Sequence, residues 1–243
     1  MTEAQAVIAI DGPSGVGKST ISRNIARALG FTYLDTGAMY RAVALFLQWN
    51  RIDLIDDQAM RSSLAKINIQ LLAGKNEDDD TGVLLNGEDV SGAIRTPEMA
   101  MVASKVSAIP LVREKLTTLQ RQLGSTGGVV AEGRDTGTVV FPRARYKFFL
   151  DASPEERARR RVRQLRMRGE AVDEQKILEM TLERDKNDRE RAIAPLRQAD
   201  DAWVIDTTSR DIAEVTRLIL EVILEGRKKT TDPREDERRP ADR

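Results

Sequence analysis

Residues Gly12-Pro13-Ser14-Gly15-Val16-Gly17-Lys18-Ser19 satisfy the pattern GxxxxGK[ST] at every fixed position. They stand between a short apolar run, Val7-Ile8-Ala9-Ile10, and a segment in which Ile21, Ile25, Ala28 and Leu29 recur at helical spacing before Gly30. Strand, glycine-rich loop and helix in that order make an anion cradle. Glycines let backbone N–H groups approach phosphate oxygens closely, and the helix beginning near Lys18 points the positive end of its dipole at them. Lys18 adds a full charge toward the β- and γ-phosphates, and Ser19 a hydroxyl for Mg²⁺. A chain that opens this way binds a nucleoside triphosphate and has to build a sheet that carries the loop.

Further core strands are expected at Phe31 to Leu34, Val129 to Ala131, Tyr146 to Leu150 and Trp203 to Ile205, mostly separated by helical patterns. Continuous apolar runs alternating with helices predict an α/β fold with a parallel sheet covered on both sides. Two stretches break the alternation. Residues 66–95 read as strands (Ile67 to Leu72, Val83 to Leu85) around a polar turn, Gly74 to Asp80, and predict a small β-rich insertion. Residues 156–191 are dense in arginine, lack a strong apolar stripe and predict projecting helices. A last helix, about Ile212 to Leu224, carries Val215, Leu218, Ile219, Val222 and Ile223 on one face and is expected to close at Gly226. The charged residues 227–243 then read as a disordered tail. Trp49 and Trp203 are expected in the core.

Composition narrows the chemistry. Lys+Arg and Asp+Glu are equal at 39 each, so no global field draws the chain onto nucleic acid or anionic lipid, and phosphate binding must rest on local clusters. There is no cysteine, hence no disulfide, thiolate nucleophile or Cys-bearing zinc site; there is no histidine, hence no Ser-His-Asp triad and no His-ligated metal. The N-terminal segment does not read as a signal peptide, and no apolar run is long enough to span a membrane. A cytoplasmic protein is expected, without membrane or nucleic-acid partners and monomeric.

What is done with the nucleotide is the next question. A guanine-reading Asn-Lys-x-Asp segment is absent, and Val129-Val130-Ala131-Glu132 only partly resembles the acid-tipped strand of an ATPase motor. A kinase that phosphorylates an anion needs positive charge on the acceptor side, and Arg41, Arg134, Arg184 and Arg191 are suitably placed, their forked donors matching phosphate oxygens.

Here the chain resembles the bacterial cytidylate kinases, within the nucleoside monophosphate kinases. The resemblance rests on Ile10 through Thr20, on Leu34-Asp35-Thr36-Gly37-Ala38-Met39-Tyr40-Arg41, and on Gly133-Arg134-Asp135-Thr136-Gly137-Thr138-Val139-Val140-Phe141-Pro142. It continues through Phe149-Leu150-Asp151-Ala152-Ser153 and Arg184-Asp185-Lys186-Asn187-Asp188-Arg189-Glu190-Arg191. It covers roughly residues 5–225.

The resemblance implies a P-loop three-layer fold with a five-stranded parallel core. Residues 1–35, 116–154 and 192–226 would form that core, 36–115 an acceptor region holding the insertion, and 155–191 an arginine-rich lid. It implies ATP with Mg²⁺ as phosphoryl donor, on the loop from Gly12 to Thr20, and CMP or dCMP as acceptor. Lys18, Arg134 and Arg184 would serve catalysis. Arg41, Arg134 and Arg184 would hold the acceptor phosphate, Asp188 with Arg184 its ribose, and Ser104, Arg113, Asp135 and Arg191 its base. Thr36 stands where the family often has serine, and Asn187 where relatives can have arginine.

The base-reading set agrees with the chemistry of cytosine, whose N4 amine donates while N3 and O2 accept. Uracil would turn an acceptor toward Asp135, at a cost of about 1–3 kcal/mol. Missing histidine is no obstacle, because the nucleophile is a phosphate oxygen already anionic near neutral pH. Two rivals stay open: a related kinase with another acceptor, and an RNA-binding switch module using the arginine-rich segment. For Arg157, Arg159, Arg160, Arg161, Arg163, Arg166 and Arg168 the plain expectation is a solvated helix face.

Overall fold

Val129, Val130 and Ala131 are all buried, although successive side chains of a strand point to opposite faces, so their strand must be covered on both sides. The computed structural model describes residues 6–72 and 81–231, the last five of these by backbone alone. In chain order its elements begin with β1 (Val7–Asp11), α1 (Lys18–Leu29), β2 (Thr32–Asp35), α2 (Thr36–Trp49), α3 (Asp57–Ala65), β3 (Ile69–Leu72), β4 (Gly82–Leu85) and β5 (Glu88–Asp89). They continue with α4 (Pro97–Val106), α5 (Pro110–Leu123), β6 (Val129–Gly133), β7 (Tyr146–Asp151), α6 (Pro154–Met167), α7 (Glu174–Glu190), β8 (Trp203–Asp206) and α8 (Ile212–Thr231).

The five strands expected from the sequence form one parallel sheet in the order β2-β6-β1-β7-β8. β1 sits between β6 and β7, with Ala9 opposite Ala131 on one side and Lys147 on the other. Alternation along the strands divides the core in two. Leu34, Val129 and Ala131 face α2 and its neighbours through Met39, Val43, Leu116 and Val112. Ile8, Ile10, Val130, Phe148 and Leu150 face α1 and α8 through Ile21, Ile25, Val215, Ile219 and Ile223. α2 is apolar nearly all round because it lies beneath both the sheet and α4. The expected β-rich insertion is present as the antiparallel sheet β3-β4-β5, with Leu71 opposite Val83. Its polar turn, Gly74 to Asp80, lies outside the described residues.

Three expectations are corrected. α8 does not close at Gly226 but runs to Thr231, so residues 227–231 of the expected tail are helical, and residues 232–243 lie outside the described residues. Gly226 serves packing, since a Cβ there would stand 2.8 Å from the Tyr146 hydroxyl. Trp49 and Trp203 are 50% and 58% exposed rather than core, the first at the end of α2 and the second on edge strand β8. Arg157 is not on a solvated face: it is 2% exposed, among the largest fully buried side chains.

The burial of Arg157 explains how a helix pair with little apolar surface is held. Its Nε donates to the Ala152 carbonyl (3.0 Å), Nη1 to the Ser14 carbonyl (3.1 Å) and to Asp185 Oδ1 (2.9 Å), and Nη2 to Asp185 Oδ2. One planar guanidinium thus ties the β7–α6 junction, the glycine loop and α7 together. Arg160 adds a second tie, donating to the Thr207 carbonyl and hydroxyl beyond β8. Removing one partner of a buried pair leaves an uncompensated charge. Asp185→Asn should therefore destabilise the fold by about 3 kcal/mol in urea unfolding, and the double change Arg157→Met with Asp185→Leu should recover most of that loss.

Candidate active site

Because the sheet is parallel, the carboxyl ends of all five strands open on one edge, and the loops leaving them line a single cleft of about 1080 Å³. Its walls carry Ser14, Gly15 and Gly17 to Thr20 from the loop after β1 and the start of α1, Thr36 and Arg41 from α2, Ser104 from α4, Arg134 and Asp135 from beyond β6, and Arg184, Asp188 and Arg191 from α7 and its end. Of the residues named from the sequence, only Arg113 and the backbone-lined positions Gly12, Pro13 and Val16 stand behind this lining, each buried beneath it.

The glycine loop has the shape its sequence requires. Gly12 adopts φ 149°, and a Cβ there would meet the Leu150 carbonyl oxygen at 2.0 Å. Gly17 is left-handed at φ 92° and turns the chain into α1. Lys18 is 7% exposed and donates to the Pro13 carbonyl at 2.5 Å, folding its ammonium over the loop. Burial, and then Arg134, push that ammonium well below its ordinary pKa, while Glu132 pulls in the opposite direction. An anionic phosphate seated on the loop would remove that penalty, which is the electrostatic form of a triphosphate site.

Glu132 is the group that the sequence reading passed over. Its Oε1 accepts from Ser19 Oγ (2.7 Å) and Tyr33 Oη (2.7 Å), while Oε2 is buried with no partner. Burial first, and then the nearby Asp35, raise its pKa. The signal was present in the sequence as an acidic tip on the apolar run of β6. A carboxylate oxygen left over beside Ser19 fits a hard divalent cation such as Mg²⁺, which takes one or two protein oxygens and completes its shell with phosphate and water. Among the described residues no cluster of three or more acidic side chains could cage a metal without a nucleotide.

Opposite the glycine loop the wall of the cleft is a network of arginine and aspartate. Asp135 is 5% exposed; Arg113 Nη2 donates to its Oδ2 and Arg191 Nη2 to its Oδ1 (3.3 Å). Ser107, absent from the sequence-derived set, braces both arginines: its carbonyl accepts from Arg113 (3.2 Å) and its hydroxyl from Arg191 (3.0 Å). The Tyr40 ring lies under the Arg113 guanidinium at 5.6 Å, and burial followed by Asp135 pushes its phenol up to about 12. Each Asp135 oxygen keeps a second lone pair, so the carboxylate can still accept from a ligand. Ser104 does not join Asp135 directly; its hydroxyl donates to Asp188 Oδ1 (3.0 Å), and Arg134 Nε donates to Asp188 Oδ2 (2.8 Å).

Cations outnumber their partners between the two walls. Arg41 reaches Asp35 (3.3 Å), which also caps α2 through the Ala38 N–H (2.8 Å), yet its Nε is buried and unmatched. Arg184 reaches across to Ser14 Oγ (3.1 Å), its Nε likewise unmatched, and burial followed by Arg134 lowers its pKa to about 10. Thr36 donates to the Glu132 carbonyl (2.6 Å) and so turns its side chain toward β6.

At Asp188 burial pushes the carboxyl up, but Arg134 and Arg184 outweigh it and hold the pKa at about 2. The folded value lies below the unfolded 3.8, so the charged form is the one that folding stabilises. That contribution, about 2 kcal/mol, is complete above roughly pH 4 and is lost as pH falls toward about 2. Asp188→Asn should flatten this acid limb, read as a smaller fall in the urea midpoint between about pH 5 and pH 3 than the unaltered chain shows.

The family model described as cytidylate kinase matches residues 8–225. The cytidylate kinase of Carboxydothermus hydrogenoformans is 49% identical over 221 residues, which cover 91% of this chain and 97% of that protein. That of Syntrophotalea carbinolica is 48% identical over 229 residues, covering 94% and 96%, and that of Vibrio cholerae 47% over 223 residues, covering 92% and 98%. With a match that takes in the glycine loop, the Arg134–Asp135 wall and α7 alike, this chain belongs to the cytidylate kinase family.

Proposed function

We propose that the protein transfers the γ-phosphoryl group of ATP to CMP or dCMP, giving ADP with CDP or dCDP, and so acts in pyrimidine nucleotide metabolism in the cytoplasm. The observation that carries this reading is Asp135, a buried carboxylate set between Arg113 and Arg191 across a cleft from the glycine loop. It supplies an acceptor for an exocyclic amine, and its arginines supply donors for a ring nitrogen and a carbonyl, which is the pattern that cytosine completes.

The donor triphosphate rests on the backbone from Gly12 to Thr20, with Lys18 over its terminal phosphates. Ser19 and Glu132 would hold Mg²⁺, which when bound neutralises charge on the donor phosphate oxygens. Arg41, Arg134 and Arg184 hold the acceptor phosphate, and Asp188 with Arg184 its ribose. An oxygen of that phosphate attacks the γ-phosphorus, the bond from the γ-phosphorus to the bridging oxygen breaks, and the electron pair leaves with ADP. No side chain has to remove a proton, because the attacking oxygen is already anionic. Arg184, already in contact with Ser14 of the glycine loop, stands where it can follow charge as it moves from donor to acceptor. Residues 155–191 act as a lid that excludes water, and the enzyme works as a monomer.

A steady-state panel of CMP, dCMP, UMP, AMP and shikimate tests the acceptor. CMP and dCMP should lead, and AMP or shikimate ahead of CMP would overturn the reading. Asp135→Ala should narrow the preference for CMP over UMP by at least tenfold, the scale of a buried charged hydrogen bond. Lys18→Ala should lower kcat on the order of a hundredfold or more while leaving the CMP preference intact, because its charge acts on the departing phosphoryl group.

A further inference from the structure

Asp11 ends β1, immediately before the glycine loop, and is 5% exposed. A carboxylate so buried would ordinarily face a lysine or arginine, yet its hydrogen-bond partners are all groups on the segment after β6. Oδ1 accepts from the Thr136 N–H (2.8 Å) and the Thr136 hydroxyl (2.7 Å), and Oδ2 from the Gly137 N–H (2.7 Å). Burial dominates its pKa and raises it, with these three hydrogen bonds acting against that.

The segment it grips is unusual. Thr136–Val140 form a single π-helical turn, a conformation that is rarely stable by itself. The N–H groups of Thr136 and Gly137 are taken by Asp11, and the carbonyls of Val139 and Val140 at the other end by Arg121 of α5. Arg121 Nε donates to the Val140 carbonyl (3.0 Å) and Nη2 to the Val139 carbonyl (2.8 Å). Space is equally tight: a Cβ on Gly137 would stand 3.3 Å from both Asp11 Oδ2 and Lys147 Cδ. Lys147 then donates to the Pro142 carbonyl (2.7 Å), fixing the exit of the turn. A clamp with an anion at one end and cations at the other therefore holds the residues that directly follow Arg134 and Asp135.

We infer that Asp11 is a positioning residue for acceptor recognition. By clamping the π-helical turn together with Arg121, it sets the orientation of the Arg134–Asp135 pair and thereby the choice of pyrimidine, without touching either nucleotide. This rests on the reading of Asp135 as the group that recognises cytosine. Asp11 sits on the strand that carries the donor loop and its charge favours the Lys18 ammonium, though less than Glu132 does; its hydrogen bonds run to the acceptor wall, so its loss falls chiefly on the acceptor.

Asp11→Asn keeps the shape and turns one acceptor into a donor that faces an N–H. In the full-length enzyme the KM for CMP should rise on the order of tenfold, and the ratio of kcat/KM for CMP over UMP should fall by about as much, the scale of a lost charge-assisted hydrogen bond. The KM for ATP should change less than about threefold, since the glycine loop keeps its own geometry. Thr136→Val and Arg121→Met remove single elements of the clamp from outside the cleft and should move the same ratio in the same direction, each by less. They decide the matter if Asp11→Asn does not fold. An unchanged CMP-to-UMP ratio, or KM values for ATP and CMP that rise together, would overturn the positioning role. An unaltered enzyme that shows no preference for CMP would instead overturn the reading of Asp135.

Discussion

Parallel pairing of β1 with β6, Asp11 opposite Gly133 at its end, brings together two chain segments more than a hundred residues apart in sequence. Parallel strands end on the same edge, so the glycine loop after β1 and the Arg134–Asp135 segment after β6 emerge side by side. Several polar contacts of the cleft meet at that junction. Glu132 reaches from β6 to Ser19 of the loop, Thr36 from α2 to the Glu132 carbonyl, and Asp11 from β1 to Thr136 and Gly137. The apolar layers on the two faces of the sheet keep the junction rigid, since Ile8 and Ile10 of β1 and Val129 to Ala131 of β6 are all buried.

The charge pattern of the cleft follows from what it must receive. Two nucleotides bring many negative charges into one enclosed space, and a matched set of protein ion pairs would leave nothing to attract them. Under the proposed function, paired arginines such as Arg113 and Arg191 on Asp135 would serve shape and selectivity. Cations with unmatched nitrogen, such as Arg41 and Arg184, and the desolvated Lys18 would be the ones left to meet phosphate. An overall net charge of zero conceals this, because the surplus is local.

Much of this was legible in the chain. The five sheet strands could be read because burial on both faces leaves continuous apolar runs, and the β-rich insertion because its alternation differs. The glycine loop could be read because phosphate binding requires those residue types in that spacing. Side chains whose role depends on distant neighbours were misread or passed over. Arg157 looks like any arginine of a solvated helix until Asp185 and the Ser14 carbonyl enclose it. Gly226 looks like a helix end until the Tyr146 ring is seen to occupy the space of its missing side chain. Trp203 looks like core until β8 proves to be the sheet edge.

The sequence by itself determined the phosphate cradle and the alternation that builds a parallel sheet. These rest on local chemistry: glycine's freedom, the strand and helix periods, and donors and acceptors fixed by each side chain. Strand order was decided only by the tertiary structure, and with it the meeting of Asp11 with Thr136, of Glu132 with Ser19, and of Arg184 with Ser14. Each of those contacts joins residues far apart along the chain, so only the packing of two helical layers onto one sheet could select them.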